Sequence, residues 1–600
     1  MLRVALVCLV PIMISLRPAG DAGSLARDLV WWTTHALEKV RPSSSPPPPA
    51  ERSTGVELAA ARNEFEPFQL VLRARSAPLR DVDVELTDLV GERGGDLIAS
   101  RWATVYLQRY LALDKASSIE GATGEWPDPL IPRIDAYRHE RRSAFPFEIP
   151  AGRNQPLWIE LYVPPDTPPD VYRGALRISA GGRRLVSVPV RVEVWSFRLP
   201  STSTLRTSFG FSGPAVLIQH RGRYTSDEDL FALSRLYAIA ALRHRLSLHG
   251  GAMVPPPARF ERDRVVVDWT DFDRRVEPLL DGTLFGAADY LPGARITSID
   301  VTTIAELTPE QTVRYWRAWA DHFRARGWLD QLFVYLLDEP QSPEDYAEVV
   351  RRARLARTAD PGLQTLLTEQ LVPRLARLID IWVPLVNCVE PRSDGDRYCE
   401  ETVPRERYHR VEEQGAAVWW YQSCASHGCN ELGDAAYTGW PSHAIDASAV
   451  AHRIMPWLAW RLGISGELYY NTVESYLSPD ADPWRDVRLH GGNGDGTLFY
   501  PGTPERIGGA TDVPVESIRL KLIREGLEDY EYLALAERSG LEELARANAV
   551  TVAASTYGWS RDPDTLYAAK FALGRALDGH GLRKQPTVGS KRAEGPETPQ

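Results

Sequence analysis

Beyond its first residues, no stretch of the 600-residue chain is apolar for the ~20 residues a helix needs to span a bilayer, so stable membrane insertion is not expected. Basic charge is also short. The 69 Lys and Arg face 80 Asp and Glu, a net charge of -11, which argues against an electrostatic phosphate binder and against nucleic acid as the main partner. Cysteine is scarce, with five copies. Cys8 lies in an N-terminal apolar run without a lipobox, whereas Cys388, Cys399, Cys424 and Cys429 sit close together, as disulfides between neighbouring loops would require. A zinc site built on Cys424, His427 and Cys429 in CASHGC lacks the second CxxC-like pair usual for structural zinc. The glycine-rich GGNGDG at 491–496 lacks the GK[ST] ending of a phosphate loop and the ligand spacing of an EF-hand, and reads as a tight turn. His244 and His249 need no metal to explain them. No metal or cofactor is expected.

What is present is the composition of a soluble globular protein, 44% apolar and 25% charged, with 18 tryptophans whose faces suit cores and sugar rings alike. Residues 1–22 pair Arg3 with an apolar stretch and then small residues, the pattern of a secretory signal, so export to the periplasm or the exterior is expected. Residues 23–54 include the Pro-rich PSSSPPPPA at 42–50 and read as a linker with a possible first strand. From 55 to 200, short alternating runs such as PLWIELYVP and VSVPVRVEVWSFRLP predict an antiparallel β-sandwich, ending at LPSTST, 199–204.

From 201 to 582 the rhythm changes to short apolar strands separated by helical periodicity. The strands are read at 205–211, 246–250, 295–301, 333–339, 364–370, 379–385, 417–423 and 466–472. Eight such strands with crossover helices predict a (β/α)8 barrel, with functional groups at the C-terminal strand ends. The expected architecture is therefore multidomain: an N-terminal β-sandwich followed by a TIM-like α/β barrel. The helical segment PVESIRLKLIREGLEDYEYLALAE, 514–537, is expected to be amphipathic and to close the barrel, and the polar tail at 583–600 to be disordered.

The fourth strand ends in LLDEP, which delivers Asp338 and Glu339 side by side and stops at Pro340. Two carboxylates beside an apolar core are costly unless used, and a pair of carboxyl groups is what glycosidic cleavage requires. The seventh strand, AVWWYQS, contains no acid, which removes the usual protein nucleophile. A 2-acetamido sugar can supply its own nucleophile. Asp338 would then hold the acetamide N–H and stabilise an oxazolinium-like intermediate, and Glu339 would act as general acid and then base. One geometric condition follows. Neighbours on a regular strand face opposite ways, so the pair must lie beyond regular pleating, and Pro340 favours that.

ARNEFEPFQLVL (61–72), EWPDPLIP (125–132), NQPLWIELYVPPDTPPDVYRGAL (154–176), LLDEP, GDGTLFYPG (494–502) and SIRLKLIREGLEDYEYL (517–533) together carry a resemblance. They resemble glycoside hydrolase family 123 and the related bacterial proteins with the uncharacterised domain family numbered 4091. The resemblance implies an N-acetyl-β-galactosaminidase-like activity with Asp338 and Glu339 as the catalytic pair, and a carbohydrate as partner.

Further sugar contacts are sought at the other strand ends: Trp419, Trp420 and Tyr421 on the seventh strand, Tyr470 and Asn471 on the eighth, Glu369 on the fifth, Asn387 after the sixth, and Asp495 in the glycine-rich turn. Tyr421 is the candidate for orienting the acetamide carbonyl. Two competing readings remain: a hexosidase with Glu474 as an ordinary carboxylate nucleophile, and a non-catalytic carbohydrate-binding protein.

Overall fold

The computed structural model describes residues 22–53, 55–250, 255–262, 264–302, 304, 306–392, 398–399, 402–429 and 435–580. The expected leader lies outside the described residues except for Ala22, as does the tail at 583–600.

The N-terminal region is all-β, with two seven-stranded sheets. One sheet runs, in spatial order, Leu29–His35, Glu64–Ala74, Asn154–Val163, Ala103–Leu113, Gly124–Pro132, Val513–Ser517 and Phe499–Gly502. The main path of the other runs Val56–Arg62, Arg183–Arg198, Val171–Ala180, Leu79–Leu86 and Phe147–Ile149. Inward-facing positions alternate along the strands, so that Leu70, Leu72, Leu157 and Ile159 of the first sheet share one core with Val84, Leu176, Ile178 and Val190 of the second. The chain passes from Val56–Arg62 to Glu64–Ala74 through Asn63, whose φ of 63° makes the corner. Its side-chain amide donates to the Leu199 carbonyl at 2.9 Å and its Oδ1 accepts from Tyr162 at 2.6 Å.

After residue 205 comes a barrel-like parallel sheet of eight strands: Arg206–Gly210, Leu248–His249, Ile299–Asp300, Leu332–Tyr335, Gln364–Leu367, Ile381–Trp382, Ala417–Tyr421 and Gly466–Tyr469. Each falls within a run read from the sequence or begins one residue before it. Spatial order is 2-1-8-7-6-5-4-3, so the sheet returns almost onto itself. Strands two and three share no ladder. They are linked by the Thr297 N–H donating to Ser247 Oγ at 2.7 Å and the Gly250 N–H donating to Asp300 Oδ1 at 3.1 Å.

The crossover helices have strong local signals. Pro309–Arg326 opens with a Thr308/Gln311 capping box and proline in its first turn, and ends at Gly327 with a φ of 77°. Pro343–Ala359, directly after the acidic pair, opens with a Ser342/Asp345 capping box. Strands five and six are joined without an α-helix, by the 3-10 turn Pro373–Leu375.

In the C-terminal third, one element is unexpected and one expectation is corrected. The hairpin formed by Phe499–Gly502 and Val513–Ser517 does not join the barrel: Ser517 and Glu516 pair with Pro129 and Leu130 and extend the N-terminal sheet. The helix Ile518–Arg538 is not amphipathic in its setting, because all of its 21 residues except Tyr530, Glu537 and Arg538 are buried. It lies between sheet and barrel helices and has no outer face. Its charges are neutralised by partners far away in sequence: Arg519 with Asp128 at 2.8 Å, Arg524 with Glu160 at 2.7 Å, Glu528 with Arg245 at 3.1 Å and Asp529 with Arg453 at 2.6 Å.

Candidate active site

The fourth strand ends at Tyr335, three residues before Asp338. Leu336 keeps one more bond to the neighbouring strand, its N–H donating to the Leu366 carbonyl at 3.0 Å, and then the backbone leaves the pleat. Glu339 has a φ of 42°, the left-handed region that a residue with a Cβ adopts only at a cost of about 1–2 kcal/mol. This backward turn removes the geometric objection to adjacent carboxylates. Asp338 is exposed and Glu339 half-buried, and both are bound to tyrosines of the barrel's inner cluster. The Tyr335 hydroxyl donates to Asp338 Oδ1 at 2.7 Å, and Thr368 Oγ lies 3.0 Å from the same oxygen. The Tyr421 hydroxyl, from the seventh strand across the mouth, donates to Glu339 Oε1. The Glu339 N–H donates to Thr368 Oγ at 3.0 Å.

The phenols of Tyr335 and Tyr421 are both pushed well above the ordinary value, by burial first and then by the carboxylate charges of Asp338 and Glu339 respectively. They are therefore donors throughout the working pH range. Tyr398, 47% exposed and next to the Cys388–Cys399 disulfide, is raised by burial and then by the charge of Glu339. His249 accompanies the pair on the other side. Its Nδ1 is 3.0 Å from Ser208 Oγ, its ring centroid lies 6.2 Å from that of Tyr335, and burial lowers its pKa against the opposing charges of Asp300 and Asp338.

The remaining expected contacts divide by strand alternation. Trp419 and Tyr421 face the barrel interior, with Trp419 a layer deeper and 1% exposed. Trp420, expected at the sugar, points the other way and is packed in the core between the sheet and its helices. Asn387 is 1% exposed, and its amide donates to the Ser426 carbonyl at 3.1 Å, tying together the loops after strands six and seven. Tyr421, the candidate for orienting an acetamide, has its hydroxyl at Glu339 Oε1, beside the acidic pair.

Glu369 is half-buried, with one oxygen accepting from Tyr346 at 2.8 Å and the other from the Gln370 N–H at 2.7 Å. Burial raises its pKa against those bonds. Asp495 is 1% exposed and also raised by burial, while it accepts from the Tyr469 hydroxyl at 3.0 Å and the Cys424 N–H at 3.1 Å. Its turn packs against the eighth strand: a Cβ on Gly496 would meet the Tyr470 hydroxyl at 2.5 Å. Tyr470 is half-buried, and Asn471 donates to Glu474 Oε2 at 2.7 Å while His490 Nε2 lies 3.2 Å from Glu474 Oε1.

Cys424 and Cys429 form a disulfide, so the thiolates a zinc site would need are absent. Among the described residues, no group of three or more His, Cys, Asp or Glu could hold a metal ion, and no helix is long and apolar enough to cross a membrane. A cavity of about 880 Å³ lies away from the pair, between Phe68 and Trp195 of the sheets and Tyr567 and Phe571 of the helix Pro563–His580.

Sequence reasoning missed Tyr335, Thr368, Asp300 and Tyr398. A usable signal existed for the first two: both are hydroxyl residues at or just past the ends of adjacent strands.

The sequence pattern of "Glycoside hydrolase 123, catalytic domain" matches residues 295–536, and that of "Glycoside hydrolase 123 N-terminal domain" matches 28–180. No curated protein matches the sequence. Among solved structures, a family 123 glycoside hydrolase from Clostridium perfringens, described in connection with glycolipid glycan hydrolysis, superposes with a TM-score of 0.64 at 14% identity, covering 92% of this chain and 98% of that one. A family 39 glycoside hydrolase from Bacteroides cellulosilyticus has a TM-score of 0.31 at 9% identity over 79% of this chain and 82% of its own. A Bacteroides ovatus family 5 xyloglucanase has 0.26 at 10% identity over 79% and 98%. With both of its parts matched in order along the sequence, and with a shared fold over nearly its whole length, this chain is a glycoside hydrolase and belongs to family 123.

Proposed function

We propose that the protein is a retaining exo-glycosidase that releases terminal β-linked N-acetylhexosamine, with N-acetylgalactosamine preferred, by substrate-assisted catalysis. The observation that carries this reading is the left-handed turn at Glu339, with Asp338 held by Tyr335 and Glu339 held by Tyr421 on one inner face. Asp338 Oδ2 accepts the acetamide N–H and aligns the carbonyl oxygen with the anomeric carbon. Glu339 protonates the glycosidic oxygen as the C–O bond breaks and the oxazolinium ring closes. Glu339 then takes a proton from water as that water opens the ring from the same face, so the anomeric configuration is retained.

The competing nucleophile Glu474 has one oxygen bonded to Asn471 and the other facing His490, which disfavours its use in attack. The reading includes a TIM-like barrel, bridged by side-chain bonds between strands two and three, with the pair at the C-terminal ends of its strands. It also includes export, supported by the Cys388–Cys399 and Cys424–Cys429 disulfides. The link of the Clostridium perfringens enzyme to glycolipid glycan hydrolysis favours a glycolipid glycan as one natural substrate.

The test compares aryl β-glycosides of N-acetylgalactosamine, N-acetylglucosamine and galactose. Turnover should need the 2-acetamido group, and Glu339→Gln should lower kcat by at least ~10²-fold. Comparable rates on galactoside and N-acetylgalactosaminide would refute substrate assistance.

A further inference from the structure

We infer that Thr368 is the positioning residue that orients both members of the acidic pair, so that Asp338 offers substrate one defined oxygen, Oδ2. The inference rests on the catalytic reading of Asp338 and Glu339 above. Thr368 directly follows the strand Gln364–Leu367, is 2% exposed, and touches three groups of the fourth strand's end. Its Oγ is 3.0 Å from the Glu339 amide nitrogen, 3.0 Å from Asp338 Oδ1 and 3.2 Å from the Tyr335 hydroxyl.

Proton counting fixes the directions of these bonds. The amide can only donate, so Thr368 accepts from Glu339, and its single hydroxyl proton is then free for the carboxylate. Tyr335 also has one proton. The carboxylate oxygen at 2.7 Å is both nearer and the stronger acceptor than the Thr368 hydroxyl at 3.2 Å, so that proton goes to Asp338 as well. Oδ1 thus receives two donors that hold the plane of the carboxyl group, and Oδ2 is left for the acetamide.

The same threonine holds the backbone. A residue with a Cβ stays in the left-handed region only where its surroundings over-determine it, and the bond from the Glu339 N–H to Thr368 is such a tether. One hydroxyl therefore couples the aim of the acid to the aim of the acetamide holder.

Thr368→Val keeps shape and volume but removes the acceptor and the proton together. Measured on an aryl β-N-acetylgalactosaminide, kcat should fall about 10- to 100-fold with KM within about 3-fold, and Thr368→Ser should restore kcat to within about 3-fold. In an Asp338→Asn background, Thr368→Val should cost less than in the wild type but still more than about 3-fold, because the bond from Thr368 to the Glu339 N–H is lost in either background. A crystal structure of Thr368→Val should show Glu339 out of the left-handed region or Asp338 rotated; Thr368→Ala replaces it if the valine variant does not fold. Wild-type kcat in the variant, or both carboxylates unmoved in its crystal structure, overturns the inference. If the wild type instead cleaves plain galactosides equally well, substrate assistance fails, and the crystal structure alone decides the role of Thr368.

Discussion

Replacing Arg519 with Met should strongly destabilise the protein. All five N–H groups of Arg519 are used. Nε and one Nη2 proton bond Asp128 at 3.0 and 2.8 Å, Nη1 bonds the carbonyls of His443 and Gly494 at 2.9 and 2.7 Å, and the other Nη2 proton bonds the Thr497 carbonyl at 2.6 Å. Both side chains of the pair are 0% exposed. Burial alone would lower the pKa of this guanidinium, and the adjacent Asp128 carboxylate more than reverses that. Methionine fills much of the volume but strands Asp128 with Tyr500 as its remaining side-chain donor, at 2.5 Å, and leaves three buried carbonyls without this partner. A stranded buried charge costs about 3–5 kcal/mol. Urea unfolding followed by tryptophan fluorescence should register a loss of that size, and amide exchange should speed up at 492–498. Adding Asp128→Leu to Arg519→Met should recover about 1–4 kcal/mol, because the unpaired charge goes with it. A single variant within about 1 kcal/mol of wild type, or a double variant no more stable than the single one, would refute the reasoning.

Tyr421→Phe removes the donor to Glu339 while keeping the ring, and kcat should fall about 10- to 100-fold with little change in melting temperature; an unchanged kcat would separate this tyrosine from the chemistry. Acid should destabilise the fold through its buried histidines. His244 and His427 are each lowered to about 3, chiefly by burial, so between pH 6.5 and 3 the unfolded chain takes up protons that the native state refuses. Stability should therefore fall as pH drops through that window. His244→Leu should reduce the slope by up to ~1.4 kcal/mol per pH unit, read from urea unfolding at pH 5 and 7, and parallel pH profiles would contradict the assignment.

The eight parallel strands were legible because each is a short apolar run set between helical repeats, and crossover topology leaves few arrangements for that rhythm. Asp338 and Glu339 were legible as chemistry because their cost next to a core is a local property. Their geometry was readable only in part: Pro340 signals the end of the strand, but the sign of φ at Glu339 depends on Thr368, 29 residues further on. The direction of Trp420 was not legible, since two adjacent tryptophans look alike until the phase of the strand is known. Nor were the buried charges of Ile518–Arg538. Lys521 pairs with Glu160 across 361 residues, and a charged helix whose partners are that distant has the sequence of a surface helix.

The hairpin at 499–517 has a consequence for the order in which the protein can be made. The sheet strand Gly124–Pro132 receives its neighbour Val513–Ser517 only after the whole eight-stranded parallel sheet has been synthesised. At ~5–20 residues per second, the roughly 380 intervening residues take on the order of 20–80 s. Throughout that interval the nascent N-terminal sheet has an open edge, and Asp128 and Glu160 await Arg519, Lys521 and Arg524. The N-terminal region is consequently not a portable module. Expressed without the segment from 499 to 538, it would present an unpaired edge and uncompensated carboxylates, and a fusion that grafts it elsewhere must carry that distant segment with it.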